Sequence, residues 1–178
     1  IAIVRQRYNP FGGAERFIDR AASVLRSRGT KVTLITRSWQ TSSATWDIVL
    51  CDPLYFGKIW RDWSFARAVR RLIFSRTYDL VQSHERIAGC DIYRAGDGVH
   101  AAWLAQRSRT QSAFRRVLTA VNPYHRIVLA AEKRLFHSPT LRAVICNSEM
   151  VRDEIVHYFR VPRSLLHVVY SGADTTAF

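Results

Sequence analysis

Short apolar runs alternate with longer amphipathic stretches along the whole chain. Four runs are rich in β-branched or large aliphatic residues, and two weaker ones fall between them. The runs are nearly continuous rather than alternating, which is typical of strands buried on both faces of a parallel sheet. The pattern predicts strands at residues 1–4, 31–36, 46–51, 78–83, 142–147 and 166–171.

The stretches between these runs predict helices. Residues 14–29 end at Gly29, a residue favoured just beyond a helix C-terminus. A later helix is expected to open at Ser148, whose hydroxyl can cap the first turn, followed by an acidic Glu149. Strand and helix alternate without a long linker, so we expect a doubly wound α/β domain. One face of the first helix is predicted to consist of Phe17, Ala21, Val24 and Leu25.

A helical insertion interrupts this rhythm between about residues 98 and 137. It is too long for a single crossover helix, and the Asn-Pro pair at 122–123 predicts a division there. The chain stops at 178 directly after the last predicted strand. A fold rarely ends at such a point, so we expect the sequence to be part of a longer protein.

Composition limits the class of protein. Hydrophobic content of 48% and charged content of 23% are those of a globular domain rather than a disordered chain. No apolar run approaches the roughly 18 to 20 residues of a membrane-spanning helix, and the opening run is too short for a signal-peptide core. Three cysteines lack metal-site spacing, and Cys51 and Cys146 are expected to be buried free thiols in a reducing compartment. These features favour an intracellular protein, soluble or peripherally bound to a membrane.

The chain carries 27 Lys and Arg against 14 Asp and Glu, a net charge of +13. Such an excess favours nucleic acid, an anionic membrane or phosphorylated substrates as partners, and a surface charged only for solubility is the alternative. Aromatic and basic residues are interleaved in 56–76 and 103–134, as in helices that lie in a membrane interface. An ordinary core-packing helix explains 56–76 equally well. The residues expected to contact a membrane are Trp103, Arg107, Arg109, Arg115, Arg116 and Arg126.

Two stretches could carry chemistry. Gly12 and Gly13 follow the first strand and precede a helix, where free backbone N–H groups can bind an oxyanion, although a structural turn is equally compatible. They match neither the dinucleotide fingerprint nor the P-loop, and no acidic residue ends the second strand.

The second stretch, residues 83–100, contains histidines and acidic residues just beyond a predicted strand end, where α/β sheets bind ligands. Their spacing suits hydrogen bonds to a polyhydroxylated substrate better than a metal. They are His84, Glu85, Asp91, Asp97 and His100.

Three motifs together resemble the amino-terminal half of family 4 glycosyltransferases, which have the GT-B fold. They are "FGGAER" behind the first strand, "CNSEMVRDEI" at 146–155 and "VVYSGAD" at 168–174, and the resemblance covers essentially the whole chain. The segment "GCDIYRAGDGVHAAWLAQR" is more discriminating and is similar to lipopolysaccharide core sugar transferases, where it introduces a membrane-facing helical insertion.

This resemblance implies an α/β fold that forms one half of a two-domain GT-B enzyme. Residues 1–171 would be the acceptor-side Rossmann-like domain, and 172–178 would begin the connection to a donor-binding domain. Gly12 and Gly13 would approach the donor diphosphate, and His84 would lie beside the transferred sugar, although the core glucosyltransferases lack this histidine. Asp97 and His100 would face the acceptor. We therefore expect His84 and Asp97 to be catalytic, and Gly12, Gly13, Glu15, Glu85 and His100 to bind substrate.

The implied reaction moves a sugar from a nucleotide-sugar to a lipopolysaccharide core or related acceptor, with retention of configuration. It needs no cofactor and no dedicated metal, and residues 1–178 alone would be inactive. The resemblance places the protein on the cytoplasmic face of a bacterial inner membrane, with an anionic membrane surface and no nucleic acid as partner. The competing interpretation is a non-catalytic basic α/β module that binds anionic lipid or nucleic acid. A nucleotide-cofactor oxidoreductase is less favoured, because its glycine fingerprint is missing.

Overall fold

The computed structural model describes residues 1–7, 13–38, 47–75 and 78–170, with residues 13–16 described by their backbone alone. The described residues form a parallel sheet in the order β3-β2-β1-β4-β5-β6-β7. Its strands are β1 Ala2–Val4, β2 Thr33–Thr36, β3 Asp47–Leu50, β4 Val81–Ser83, β5 Ile92–Ala95, β6 Ala143–Cys146 and β7 Leu166–Val168. The helices are α1 Gly13–Ser27, α2 Gly57–Ser75, α3 His100–Thr110, α4 Ala113–Val121, α5 Pro123–Phe136 and α6 Glu149–Phe159, with a 3₁₀ turn at Arg163–Leu165.

The predicted fold class is confirmed: the chain is a Rossmann-like α/β domain with helices on both faces of a parallel sheet. On one face, Ile18 and Ala22 of α1 pack against Ile3 and Leu34. On the other face, α2, α5 and α6 bury apolar side chains against alternate residues of the same strands. This larger core includes Phe65, Val69, Leu135 and Ile155 packed with Val4 and Ile35.

The face predicted for α1 is wrong by part of a turn. Val24, expected in the core, is 52% exposed, whereas Ile18 and Ala22 are fully buried. The predicted face included Phe17. Its ring instead packs against the guanidinium group of Arg94, whose central carbon lies 4.0 Å from the ring centre. The helix end was predicted correctly, because Gly29 has a φ of +78° and its N–H donates to the carbonyl of Arg26.

Strand β5 was missed by the sequence reasoning, which treated 83–100 as a loop beyond a strand. The run Ile92–Ala95 is short and contains an arginine, so it lacks the pattern of a buried strand. In the fold Arg94 is only 6% exposed, and β5 pairs in parallel with both β4 and β6. Because β5 lies within 83–100, the histidines and acidic residues predicted to form one cluster are divided between the ends of β4 and β5.

The insertion contains helices α3, α4 and α5. Its predicted division at 122–123 is confirmed, since the side chain of Asn122 accepts a hydrogen bond from the N–H of Tyr124 at 2.9 Å and Pro123 is the first helical residue. A further break after Thr110, where Gln111 and Ser112 have extended backbone, was not predicted. The cap of α6 is also as expected, because the Ser148 hydroxyl accepts from the N–H of Val151 at 3.3 Å.

Three smaller points complete the description. The cysteines are free, but Cys51 is only half-buried, whereas Cys146 is buried and its burial raises the pKa of the thiol to about 11. Within the described ranges, no helix combines the length and apolarity that crossing a membrane requires. The final motif "SGAD" and the connection expected at 172–178 lie outside the described residues.

Candidate active site

The polar residues of interest collect at the carboxyl edge of the sheet, around the point where the strand order reverses. β1 lies between β2 and β4, so the chain leaves β1 in one direction and later returns on its other side. Ligands of open α/β sheets bind in the crevice at such a switch point. Arg5 and Gln6 follow β1 here, and His84 and Glu85 follow the neighbouring β4.

Glu85 ties the two strand ends together. Its Oε1 accepts a hydrogen bond from the backbone N–H of Gln6 at 3.0 Å and faces Nη1 of Arg5 at 3.5 Å. Burial raises the pKa of the Glu85 carboxyl, and the Gln6 N–H and the Arg5 charge oppose that rise. The carboxyl thus has one oxygen engaged with β1 and stands at the edge of the crevice.

His84 is held as a neutral imidazole. Its backbone N–H donates to the carbonyl of Val4 at 3.0 Å, and the side-chain amide of Gln82 donates to its Nε2 at 2.9 Å. Burial lowers the pKa of His84 to about 3, and the positive charges of Arg94 and Arg5 act in the same direction. At neutral pH this ring can exchange hydrogen bonds with a ligand, but it is a weak base and carries no positive charge.

Arg94 and Asp97 complete this edge from β5. Burial lowers the pKa of the Arg94 guanidinium, and the negative charge of Asp97 opposes that shift. Asp97 is exposed just beyond the end of β5, so its carboxylate is available to a ligand. Sequence reasoning did not select Arg5 or Arg94. The available signal was the position of each arginine, one at the end of the first strand and the other inside the missed strand.

The other predicted residues are distributed more widely. Gly13 is the first residue of α1, whereas Gly12 and the side chain of Glu15 lie outside the described residues. Asp91 belongs to the opposite edge of the sheet, where its Oδ2 accepts from the N–H of Val81 at the start of β4. The structure therefore brings together His84, Glu85 and Asp97, and removes Asp91 from the group.

His100 packs within the helical insertion, in a cluster of aromatic rings. It stacks on Trp103 with ring centres 5.4 Å apart, and its Nε2 lies 2.9 Å from Nδ1 of His125. Burial lowers the pKa of His100 to about 4, with the charges of His125 and Arg86 adding to the effect. Its backbone N–H donates to the buried carboxylate of Glu132 at 2.8 Å. These contacts give His100 a role in joining α3 to α5.

Glu132 is the charged centre beneath this cluster and is 1% exposed. Its Oε1 accepts from both the His100 N–H and Nε of Arg86, the latter at 2.9 Å. The ion pair links α5 to the segment between β4 and β5. It therefore fixes the insertion against the edge that carries His84 and Glu85.

Beside this edge lies a cavity of about 720 Å³ between α2, α5 and the segment after β4. Its polar lining includes Gln6, Asp62 and Glu85, so it opens from the switch point. Among the described residues, no group of three or more His, Cys, Asp or Glu side chains is arranged to hold a metal ion.

The residues predicted to contact a membrane lie on the insertion. Trp103 is 45% exposed and stacks with Arg107, whose guanidinium carbon is 4.8 Å from the ring centre. The other arginines of this group are exposed as well. Helix α4 adds an apolar stripe that the sequence reasoning did not single out, formed by Phe114, Val117, Leu118 and Val121, each more than half exposed.

Comparison with known proteins identifies relatives of the chain. The profile of the family described as Glycosyltransferase Family 4 matches residues 11–177. The lipopolysaccharide glucosyltransferase WaaG of Escherichia coli (strain K12) is 23% identical over 146 residues, which cover 76% of this chain and 39% of that protein. A crystal structure of WaaG, described as a glycosyltransferase involved in lipopolysaccharide biosynthesis, superposes with a TM-score of 0.82 at 19% identity, over 94% of this chain and 44% of that one. The chain thus spans less than half the length of these relatives, and the likeness establishes its fold as one half of the GT-B architecture.

Proposed function

The chain belongs to glycosyltransferase family 4, and from this premise we propose that the protein carrying it transfers a sugar from a nucleotide-sugar donor to a lipopolysaccharide core or related glycolipid or polysaccharide acceptor. The E. coli relative, a lipopolysaccharide glucosyltransferase, supports this substrate class. The observation that carries the proposal is the convergence of His84, Glu85 and Asp97 at the carboxyl edge of β4 and β5, beside the switch point. Hydrogen-bonding groups at that edge suit a polyhydroxylated ligand.

We assign roles that follow from the electrostatics of this edge. His84 is neutral and binds a hydroxyl of the transferred sugar, because its low pKa makes it unsuited to proton transfer at neutral pH. Asp97 is exposed and accepts a hydrogen bond from the attacking hydroxyl of the acceptor. Arg5 and Arg94 supply fixed positive charge next to His84, and Arg94 also interacts with Asp97. Positioned charges of this kind stabilise a departing diphosphate, and we propose that the backbone N–H groups of Gly12 and Gly13 are further donors to it.

We propose that residues 1–171 form the acceptor-side domain and that 172–178 begin the connection to a donor-binding domain. The coverage of the two relatives, 39% and 44% of their lengths, supports this division. Residues 1–178 alone are then inactive, because the donor is held mainly by the other half. The transfer retains configuration and requires no dedicated metal, since orientation and electrostatic stabilisation supply the catalysis.

The experiment uses the full-length protein with radiolabelled UDP-sugars and a lipopolysaccharide core acceptor. We expect transfer that survives EDTA, a product with the donor's anomeric configuration by proton NMR, and a fall of about tenfold or more in kcat/KM for His84→Ala and for Asp97→Ala. Asp91→Ala is the matched control, because Asp91 lies at the opposite edge. Full activity in both His84→Ala and Asp97→Ala would remove these residues from the site, and transfer with inverted configuration would refute the mechanism.

We also propose that the insertion binds an anionic membrane surface, as expected for an enzyme on the cytoplasmic face of the inner membrane. Helix α4 supports this, because its exposed apolar stripe lies beside Arg115 and Arg116. Apolar side chains can enter the acyl boundary while guanidinium groups contact lipid phosphates. Each arginine near such a surface contributes about 1 kcal/mol, so a small group suffices for reversible binding.

Vesicle sedimentation tests this surface. We expect binding to vesicles of phosphatidylglycerol and phosphatidylcholine, weaker binding to phosphatidylcholine alone, and loss of the difference in about 1 M salt. The variant Arg115→Gln/Arg116→Gln should lose most of the binding, whereas Arg28→Gln/Arg160→Gln, with the same loss of charge at exposed positions elsewhere, should retain it. Equal binding of both double variants would exclude α4 as the contact.

A non-catalytic basic module that binds nucleic acid is less favoured, because its support is the net charge of +13 alone. Salt-dependent binding of nucleic acid at micromolar protein, together with no sugar transfer by the full-length protein, would favour this alternative.

A further inference from the structure

The roles assigned above leave the cavity between α2 and α5 unused. It has a volume of about 720 Å³, within the range of ligand-binding sites. One end is polar, where Asp62 accepts a hydrogen bond from the side-chain amide of Gln6 at 3.3 Å and Glu85 accepts from the Gln6 backbone. Glu85 belongs both to this end and to the proposed reaction edge, so a ligand filling the cavity reaches that edge at Glu85.

The rest of the cavity carries uncompensated positive charge. Arg67 and Arg70 of α2 and Arg134 of α5 line it, and none of them forms an ion pair with any other described residue. Arg67 has a cation–π contact with Trp63, with its guanidinium carbon 5.6 Å from the ring centre. Unneutralised arginines around one concavity attract an anion and offer paired N–H donors to it.

Two tryptophans of α2 contribute aromatic rings to the lining, on either side of Asp62 in the sequence. Trp60 and Trp63 are about half exposed, at 51% and 52%, and both line the cavity. An exposed indole presents an apolar face and an N–H donor together, which suits the C–H face and hydroxyl rim of a pyranose ring. An acyl chain fits this lining less well, because it would leave the carboxylates of Asp62 and Glu85 buried against hydrocarbon.

The length of the cavity indicates more than one sugar ring. Asp62 and Arg70 are eight residues apart on α2, which corresponds to ~12 Å along the helix axis. A ligand that contacts both ends must therefore place a hydroxyl near Asp62 and Glu85 and an anionic group near Arg70 and Arg134.

We propose that this cavity is the acceptor subsite and that it selects an anionic oligosaccharide, one bearing a phosphate or a sugar carboxylate. The sugar rings pack on Trp60 and Trp63, and the anionic group binds Arg67, Arg70 and Arg134. The sugar that carries the hydroxyl to be glycosylated leaves the cavity past Asp62 and Glu85, toward Asp97. This inference rests on the proposed glycosyltransferase function and adds the chemical class of its acceptor.

Calorimetric binding to the full-length protein tests the subsite with defined probes. The probes are trehalose 6-phosphate, neutral trehalose, digalacturonate and inorganic phosphate. We expect one or both anionic disaccharides to bind at least about tenfold more tightly than trehalose, and the two probes distinguish phosphate from carboxylate recognition. Equal affinity for charged and neutral disaccharides would overturn the proposal, as would inorganic phosphate binding as tightly as the phosphorylated disaccharide.

Variants of neighbouring residues on α2 provide matched controls. Arg70→Gln should remove about tenfold of the affinity for the preferred anionic disaccharide, whereas Arg71→Gln, at an exposed position that does not line the cavity, should leave it unchanged. Trp63→Leu should weaken both charged and neutral probes, and Phe74→Leu, also exposed and outside the lining, should weaken neither. Identical binding by each variant and its control would exclude the cavity.

Failure of the subsite and failure of the enzymatic function give different results. If the wild-type protein transfers sugar and Arg70→Gln leaves both transfer and probe binding unchanged, the subsite is wrong and the function stands. If probe binding follows the expected pattern but the wild-type protein transfers no sugar, the cavity binds anionic glycans and the transferase proposal is wrong.

Discussion

Acidification should destabilise the fold through His84, and replacing this residue should relieve part of the effect. Burial and the charges of Arg94 and Arg5 lower the pKa of His84 from 6.5 to about 3. Between these two pKa values the unfolded chain binds a proton that the folded chain excludes. Stability from the neutral ring is thus fully present above about pH 6.5 and is lost as the pH falls toward about pH 3.

The size of the effect follows from the two pKa values. At about pH 5 a group with this shift loses ~2 kcal/mol of stability relative to neutral pH. The ring of His84 is only partly buried, so solvent reduces the expected loss to ~1 to 2 kcal/mol. His84→Gln retains polarity without titrating in this range. The variant should therefore lose less stability than the wild type on going from about pH 7.5 to about pH 5.

Urea unfolding of the 178-residue chain at these two pH values measures how much stability each protein loses. The contribution of His100 is the same in wild type and His84→Gln, so it cancels in the comparison. NMR titration of the His84 ring gives an independent value of its pKa in the folded chain. A pKa near 6.5 in the folded chain, or parallel loss of stability in wild type and His84→Gln, would refute the assignment of His84 as a partly buried, neutral group.

Three further substitutions test how the site is supported, each by urea unfolding. Glu132→Ala should cost ~2 to 4 kcal/mol, because it leaves the partly buried charge of Arg86 without its partner. Asn122→Ala should cost about 1 kcal/mol by removing the N-cap of α5. Gly98→Ala should cost ~1 to 3 kcal/mol, because its φ is +70° and the added Cβ would lie 3.0 Å from Oε2 of Glu154.

Each of these substitutions has its own control. Glu132→Gln retains an acceptor for Arg86 and should be milder than Glu132→Ala, and Asn122→Ser should restore most of the cap. Gly57→Ala measures the cost of the backbone conformation alone, since Gly57 has a φ of +73° and its added Cβ would meet nothing within 4 Å. Equal costs for Gly57→Ala and Gly98→Ala would show that the contact with Glu154 contributes nothing.

Local sequence information was sufficient for most of the architecture. The buried runs predicted every strand but one, because a strand covered on both faces needs apolar side chains at successive positions. The cap at Ser148 and the division at 122–123 were also recognisable, since each depends on residues no more than three positions apart. The sequence motifs also resembled those of the right family, as the match of the family profile confirms.

The tertiary structure decided the chemistry of the site. An arginine is unfavourable in a buried strand, so the sequence of β5 alone does not predict a strand. β5 forms because it pairs with β4 and β6, and because Arg94 packs on Phe17 of the distant helix α1. The pKa of His84 is lowered by burial first and then by the charges of Arg94 and Arg5. Arg5 is far from His84 in sequence and comes near it only across the sheet.

Contacts between distant elements also explain why Asp91 and His100 lie apart from the other predicted site residues. In the sequence, Asp91 and His100 looked as suitable for the site as His84, Glu85 and Asp97. Strand β5 lies between them, so Asp91 stands at the opposite edge of the sheet and His100 lies in the helical insertion. The cavity with its arginines exists only where α2 and α5 meet, and each helix alone has an ordinary amphipathic pattern. Sequence determines interactions within a few residues of each other, whereas burial, electrostatic shifts and concave surfaces come from elements distant along the chain.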